Sequence, residues 1–259
     1  MPIRLVWTLF SLLFGLALGS FLNVCIYRIP LKKSIVTPPS GCPRCGRRIK
    51  IYDNIPVLSY AFLLGKCRHC RGRISLRYPV VELITGLLST ALFLNFGPGP
   101  DYFLSLLFLS SLVVISFIDL DHQIIPDVIS LPGILIGLIA SVFWLPRVSW
   151  SDSIIGILAG GGFLYLVAAG YEKFTGREGM GGGDIKLLAM IGAWMGWKSL
   201  PYIVFISSLT GTVMGGGALL LSKRGYRAKI PFGPFLALGA LIYFFFGIEL
   251  VSWYFNLLR

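Results

Sequence analysis

The chain has 259 residues, of which 56% are apolar and only 13% are charged. A soluble domain has roughly 45 to 50% apolar and about 25% charged residues, so this composition excludes an ordinary soluble globule and predicts a polytopic membrane protein. The few charges are unequal, because 23 Lys and Arg stand against 11 Asp and Glu, which gives a net charge of +12.

Uncharged apolar runs follow one another along the whole chain. A bilayer core offers no water to unpaired backbone groups, so such runs predict helices, and we expect an all-α fold with about eight transmembrane helices. The runs cover residues 5–27, 83–100, 102–118, 128–146, 153–171, 187–197, 199–222 and 230–248. We therefore predict three parts: a first transmembrane helix at 1–27, a cytoplasmic loop at 28–78 and a helical membrane domain at 79–259.

The positive charges predict the orientation, since cytoplasmic loops carry the excess of Lys and Arg. Segment 28–78 holds twelve of them, and counting through eight crossings places 19 of the 23 on the same side. If the eleven-residue run 187–197 entered the membrane and returned on the same side, 17 basic residues would lie on one side of the membrane and 6 on the other. We expect segment 28–78 to face the cytoplasm, both termini to lie outside, and the charge to attract anionic lipid. Nucleic acid is disfavoured as a partner, because few aromatic residues accompany the basic ones.

Two CxxC pairs lie in the predicted cytoplasmic loop. Cys42 and Cys45 form the first pair, and Cys67 and Cys70 form the second after 21 intervening residues. This spacing is typical of a four-thiolate zinc site, which would stabilise a loop with little core of its own. The alternative is two disulfides, which a reducing cytoplasm disfavours. Four thiolates leave no open coordination position, so the predicted zinc is structural, and we expect His69 to be a solvated side chain.

Two groups of aspartates lie at the predicted cytoplasmic ends of helices. Asp119 and Asp121 end one helix, Asp127 is expected to cap the next, and Asp184 begins the short run after a series of glycines. Carboxylates from distant positions can meet there and act as the paired acid and base of an aspartic protease. Helix dipoles favour Asp184 as the ionised base and Asp119 as the protonated acid. The alternatives are a proton-coupled transporter that uses the same carboxylates and a non-enzymatic membrane adaptor with a zinc loop.

Together, the motifs of this chain resemble those of the type IV prepilin peptidases. These are integral-membrane GxGD-type aspartyl proteases that are also N-methyltransferases. The residues that carry the resemblance span most of the chain: Gly19-Ser20-Phe21-Leu22-Asn23-Val24, Tyr27-Arg28, Pro30, the two CxxC pairs, Asp53-Asn54-Ile55-Pro56, Leu58-Ser59-Tyr60, Arg77-Tyr78-Pro79, Glu82, Ile118-Asp119, Pro126-Asp127, Gly181, Gly183-Asp184 and Pro231-Phe232-Gly233-Pro234.

The resemblance implies a function and assigns some site residues. The enzyme would cut the leader of prepilins and pseudopilins after a glycine, at the cytoplasmic face of the bacterial inner membrane. It would then methylate the new amino terminus with S-adenosylmethionine. The resemblance matches Asp119, rather than Asp121, to the first catalytic aspartate and Asp184 to the second. For methyl transfer it suggests Gly65 and Lys66 in the loop, and Glu82, which would either compensate a helix dipole or bind the substrate's new ammonium.

Overall fold

The computed structural model describes residues 2–145, 147–176, 181–221 and 231–257. Over these residues the regular structure is helical, and extended pairing is limited to two isolated bridges, Gly41 with Arg48 and Lys66 with Arg73. The predicted all-α fold is confirmed.

The α-helices follow the apolar runs of the sequence. Short 3-10 turns lie at Ile51–Asn54 and Trp197–Ser199. In chain order the α-helices are α1 (Pro2–Arg28), α2 (Leu58–Phe62), α3 (Arg77–Phe96), α4 (Pro100–His122), α5 (Asp127–Phe143), α6 (Trp150–Thr175), α7 (Gly182–Met195), α8 (Leu200–Leu221) and α9 (Gly233–Leu257).

Eight membrane spans are not confirmed. Within the described residues, five helices are long and apolar enough to cross a membrane, namely α1, α3, α4, α6 and α9. Helices α7 and α8 meet at a 117° bend and count as one further span at most. The physical reason is length: the 14 residues of α7 cover about 21 Å, whereas a hydrocarbon core is about 30 Å thick. Helix α5 has 17 residues and is also too short for the same test.

The orientation of the chain stays a prediction. Part of the charge count rests on Arg177 and on the four basic residues in 223–229, and these lie outside the described residues, as do Gly179 and Met180 of the glycine series.

The chain divides into two compact units, Met1–Val114 and Ile115–Arg259. In the first unit, α1 packs closely against α3. A Cβ at Gly15 would lie 2.5 Å from Ser89 Cβ, and a Cβ at Gly19 would lie 2.6 Å from Glu82 Cα. The two glycines are four residues apart, a spacing that lets membrane helices approach backbone to backbone. This contact brings the end of α1 beside the start of α3.

In the second unit, α7 packs against α5 and α6. Its residues from Leu187 to Trp194 are all buried, which explains why this run carries no polar face. Gly192 contacts Gly156 of α6, and Trp194 Nε1 donates a hydrogen bond of 2.8 Å to Gly133 O of α5. The short helix is therefore held in place by its neighbours, and the residue that begins it, Asp184, is held with it.

Candidate active site and metal centre

Asp119 lies in the last turn of α4, and its side chain is buried. The residue is 5% exposed, and its Oδ2 accepts a hydrogen bond of 2.9 Å from the backbone N–H of Gly233. Asp121 is exposed. Residues two apart on a helix point to different faces, so only Asp119 reaches this buried position.

Asp184 is the third residue of α7, and it converges with Asp119. The two side chains are close enough for their charges to interact. Ile125 packs against both Gly183, which precedes Asp184, and Gly233, which donates to Asp119. A Cβ added at Gly183 would lie 2.9 Å from Ile125 Cβ, and a Cβ added at Gly233 would lie 3.4 Å from Ile125 Cδ1. The structure therefore brings together the two aspartates that the sequence analysis paired.

The Gly233 amide limits where a shared proton can lie. An N–H donor bonds more strongly to an unprotonated oxygen, so this contact favours Asp119 Oδ1 or Asp184 over Asp119 Oδ2 as the position of a proton held by the pair. The sequence analysis missed this contact. Its only signal was the Pro231-Phe232-Gly233-Pro234 motif, which had no assigned role. The assignment of Asp184 as base and Asp119 as acid stays a prediction.

Asp127 does not cap α5 with its side chain, contrary to the prediction. The helix begins at Asp127 itself, the N-cap residue is Pro126, and no side-chain capping bond is present there. Asp127 Oδ1 instead lies 2.7 Å from Lys186 Nζ, two residues after Asp184. Both side chains are largely exposed, so this ion pair contributes about 0 to 1 kcal/mol. It nevertheless links the starts of α5 and α7.

The four cysteines of the loop form one cluster. Their Sγ atoms all lie within 4.8 Å of one another, and Cys42 Sγ is 3.8 Å from Cys70 Sγ. Disulfide sulfurs would be about 2.05 Å apart, so the cysteines are free thiols. A tetrahedral zinc with Zn–S bonds of about 2.3 Å has sulfurs about 3.8 Å apart, which matches this spacing. The donor set is the one that a closed structural zinc site requires.

The backbone folds around the two cysteine pairs in the same way. The N–H of Cys42 donates to Arg47 O at 2.9 Å, and the N–H of Cys67 donates to Gly72 O at 2.8 Å. Each turn closes on a residue with positive φ, Gly46 at 67° and Arg71 at 55°. Repetition of one turn places the four sulfurs at a common point.

The pKa values of the clustered cysteine thiols favour the binding of a cation. Hydrogen bonding from the backbone N–H of Cys45 lowers the pKa of the Cys42 thiol to about 6. The N–H of Gly72 acts in the same direction on Cys70, but burial and hydrogen bonds with Cys42 outweigh it and raise the pKa of that thiol to about 11. Sulfurs this close cannot all ionise without a positive charge between them, and a divalent metal supplies that charge.

His69 lies outside the four-sulfur cluster. The residue is exposed, and its Nδ1 lies 3.1 Å from an Arg47 guanidinium nitrogen. This agrees with the prediction of a solvated side chain.

Asp53 connects its motif to the second cysteine pair. Its carboxylate accepts from Arg68 Nε at 2.9 and 3.0 Å and from a terminal guanidinium nitrogen at 2.6 Å. These bonds hold the pKa of Asp53 below its usual range. The bidentate contact links the Ile51–Asn54 turn to the four-cysteine cluster.

Of the three predicted methyl-transfer residues, Glu82 has the most informative position. It lies beyond the first turn of α3, so dipole compensation does not explain it, since that effect falls off within one turn. Its Oε2 accepts a hydrogen bond of 2.8 Å from the N–H of Val57, which has a positive φ of 61°. Gly65 also has a positive φ, of 66°, and Lys66 is exposed and bridges to Arg73.

A cavity of about 490 Å³ lies in the first unit, within the usual size range for small-ligand sites. Glu82 lines it, whereas Gly65 and Lys66 do not. Asn23 also lines it, and its Oδ1 is buried without a hydrogen-bond partner among the described residues. An unpaired buried acceptor beside a carboxylate suits a ligand with N–H donors, as a methyl donor with an amino-acid group has. The residues present therefore fit such a group.

Two family matches cover most of the chain. Residues 13–96 match the bacterial peptidase A24 N-terminal domain, and residues 106–216 match the type IV leader peptidase family.

Several similar proteins carry the same name, prepilin leader peptidase/N-methyltransferase. The protein of that name from Aeromonas hydrophila is 40% identical, and the match covers 96% of this chain and 95% of the relative. The one from Pseudomonas aeruginosa is also 40% identical, over 96% of this chain and 94% of the relative. A third, from Burkholderia pseudomallei strain 1026b, is 35% identical over 92% of this chain and 85% of the relative. No solved structure matches the chain.

Proposed function

Since this chain belongs to the type IV leader peptidase family, we propose that Asp119 and Asp184 are the carboxyl groups with which it cuts the leader from prepilins and pseudopilins. The chain is an enzyme with two activities, peptide hydrolysis and N-methyl transfer to the new amino terminus. This favours hydrolysis over the transporter and adaptor alternatives. The observation that carries the assignment is the convergence of Asp119, Gly233, Ile125, Gly183 and Asp184.

The two carboxyl groups divide the hydrolysis between them. The ionised one takes a proton from water, whose oxygen attacks the carbonyl carbon of the scissile peptide bond. The protonated one donates a hydrogen bond, and then its proton, to the carbonyl oxygen. As the tetrahedral intermediate collapses, the leaving amine takes a proton and the C–N bond breaks. The Gly233 N–H holds Asp119 in one orientation throughout.

The predicted location follows from the basic residues. Segment 28–78 lies in the cytoplasm between a first transmembrane helix at 1–27 and the membrane domain at 79–259, and the aspartate pair faces the same side. The enzyme then acts in the bacterial inner membrane, where its basic side faces anionic lipid.

Two groups that the chain would bind have distinct tasks. Zinc at Cys42, Cys45, Cys67 and Cys70 holds the cytoplasmic segment together. S-adenosylmethionine supplies an electrophilic methyl group for the amine of the cleaved substrate. Glu82 faces the cavity that fits this chemistry, while Gly65 and Lys66 border the second cysteine pair and stay candidates from the resemblance alone.

Product analysis tests the proposed function. The detergent-purified chain is incubated with a prepilin peptide, with and without S-adenosylmethionine, and the products are identified by mass spectrometry. We expect leader cleavage in both samples and a methylated amino terminus only when the donor is present. An intact peptide in both samples would contradict the proposal.

The metal site gives a second expected result. Because metal binding by such sites is coupled to folding, Cys67→Ser is expected to lose the bound zinc and to expose segment 28–78 to protease. Elemental analysis and limited proteolysis measure the two effects. Cys25→Ala is the matched control, since Cys25 lies within α1 and is not one of the four clustered cysteines. Equal zinc content in the two variants would overturn the assignment.

A further inference from the structure

Asn23 lines the cavity in the first unit with a buried side-chain amide. Asn23 is 3% exposed, and its Nδ2 donates to Gly19 O at 3.2 Å and to Tyr78 O at 3.1 Å. Both partners are carbonyls, so the amide nitrogen faces them, and Oδ1 is the atom without a partner among the residues that the structure describes. A buried acceptor left unpaired costs about 1 to 3 kcal/mol, which a ligand N–H would recover.

Glu82 lines the same cavity from α3, about one helical turn from Asn23 along the interface of α1 and α3. Gly19 opposes Glu82, and Asn23, one turn after Gly19, contacts Tyr78, one turn before Glu82. The two side chains are therefore within about one helical turn, or about 5.4 Å, along the interface. The Glu82 carboxylate is already oriented by the N–H of Val57, which donates to its Oε2 at 2.8 Å.

Asn23 and Glu82 differ in chemistry from much of the remaining cavity lining. Asn23 Oδ1 and the Glu82 carboxylate are acceptors only, and Glu82 carries a negative charge when ionised. Much of the remaining lining is basic, including Arg28, Arg47 and Arg73, and its other carboxylate, Asp53, is paired with Arg68. A small cation with several N–H donors would therefore be favoured at Asn23 and Glu82 over the rest of the cavity.

We propose that Asn23 Oδ1 and Glu82 form a binding site for the primary α-ammonium group of a methyl-transfer reactant. Two reactants carry such a group: the substrate, at the amino terminus freed by cleavage, and the methyl donor, in its amino-acid part. The inference rests on the N-methyltransferase activity stated above and names the residues that recognise the amine.

Two variants test this site. Glu82→Gln removes the charge but keeps an oxygen for the Val57 N–H. Asn23→Leu removes the acceptor at similar size. The matched control is Glu172→Gln, the same chemical change at an exposed position of α6. Zinc content and thermal unfolding verify that each variant is folded, and Glu82→Gln decides alone if Asn23→Leu does not fold.

Binding is measured by calorimetry on the full chain in detergent, with two pairs of probes. The first pair is a peptide that begins at the mature amino terminus, free or acetylated. The second pair is S-adenosylhomocysteine with or without its α-amino group. We expect the wild type and the control to bind the amine-bearing member of one pair about tenfold more tightly, and both site variants to lose that preference. The pair that responds identifies the source of the ammonium.

The outcomes separate this inference from the proposed function. Absence of an amine preference in the wild type, or its persistence in folded Glu82→Gln, overturns the ammonium site. Leader cleavage is measured on the wild type and on the Glu172→Gln control, where it should be unchanged because Glu172 is exposed and belongs to neither proposed site. Failure of the wild type to cleave would instead contradict the proposed peptidase function.

Discussion

Replacement of either Asp119 or Asp184 by asparagine is expected to lower the rate of leader cleavage by about a thousandfold or more. Asparagine has nearly the same shape as aspartate but can neither accept nor donate the proton that hydrolysis requires, and general acid–base catalysis contributes about 10² to 10⁴ in rate. The measurement is the initial rate of cleavage of a prepilin peptide by each purified variant.

Asp121→Asn is the matched control for this experiment. It makes the same chemical change two residues from Asp119, at an exposed position. We expect it to cleave at close to the wild-type rate. Retained cleavage in Asp119→Asn or Asp184→Asn would exclude the paired-carboxylate mechanism, and an equal loss in Asp121→Asn would mean that general charge at this helix end is responsible. N-methylation of a pre-cleaved peptide should survive all three substitutions, which separates a loss of catalysis from a loss of folding.

Gly233→Ala is expected to reduce cleavage about a hundredfold while the chain stays folded. The new Cβ would lie 2.7 Å from Asp119 Oδ2 and 3.4 Å from Ile125 Cδ1, so the carboxylate must move away from the Gly233 N–H. A displacement of about 1 Å at a catalytic group costs about a hundredfold in rate. Steady-state kinetics should place the loss in kcat, with KM nearly unchanged, because the substitution disturbs the catalytic group and not the substrate.

A second glycine provides the control. A Cβ at Gly211, in α8, would lie 3.5 Å from the ring of Phe235, which is an ordinary van der Waals contact. Gly211→Ala should therefore keep wild-type kcat. If Gly233→Ala kept it as well, the hydrogen bond to Asp119 would have no role in catalysis.

Several features could be predicted because they depend on local pattern. Uncharged apolar runs located every helix except the short α2, since a membrane helix needs such a run and little else. The spacing of the cysteine pairs predicted a four-cysteine cluster, because each pair and its turn form one local unit. The two-residue spacing of Asp119 and Asp121 on one helix also means that they face differently, but it does not indicate which of them is buried.

Other features depend on contacts between distant segments. Nothing near Gly233 in sequence indicates that its amide meets Asp119, 114 residues away. Compensation of a helix dipole, one of the two roles considered for Glu82, was wrong, because α3 begins at Arg77 and Glu82 lies beyond its first turn. Its carboxylate accepts a hydrogen bond from Val57 of the loop instead. The number of membrane spans was also overestimated, because an apolar run that is buried among other helices has the same composition as one that faces lipid.

The sequence by itself determined that this is a helical membrane protein with a cysteine-stapled loop and few acids, because composition and local periodicity carry that information. Its motif resemblance also singled out Asp119 and Asp184. Only the tertiary structure decided what surrounds them: the Gly233 amide on Asp119, and Ile125 beside Gly183 and Gly233. It likewise decided that Asn23 and Glu82 line one cavity. These are packing contacts between helices far apart in the chain, and packing depends on the shape of both partners, which no local pattern records.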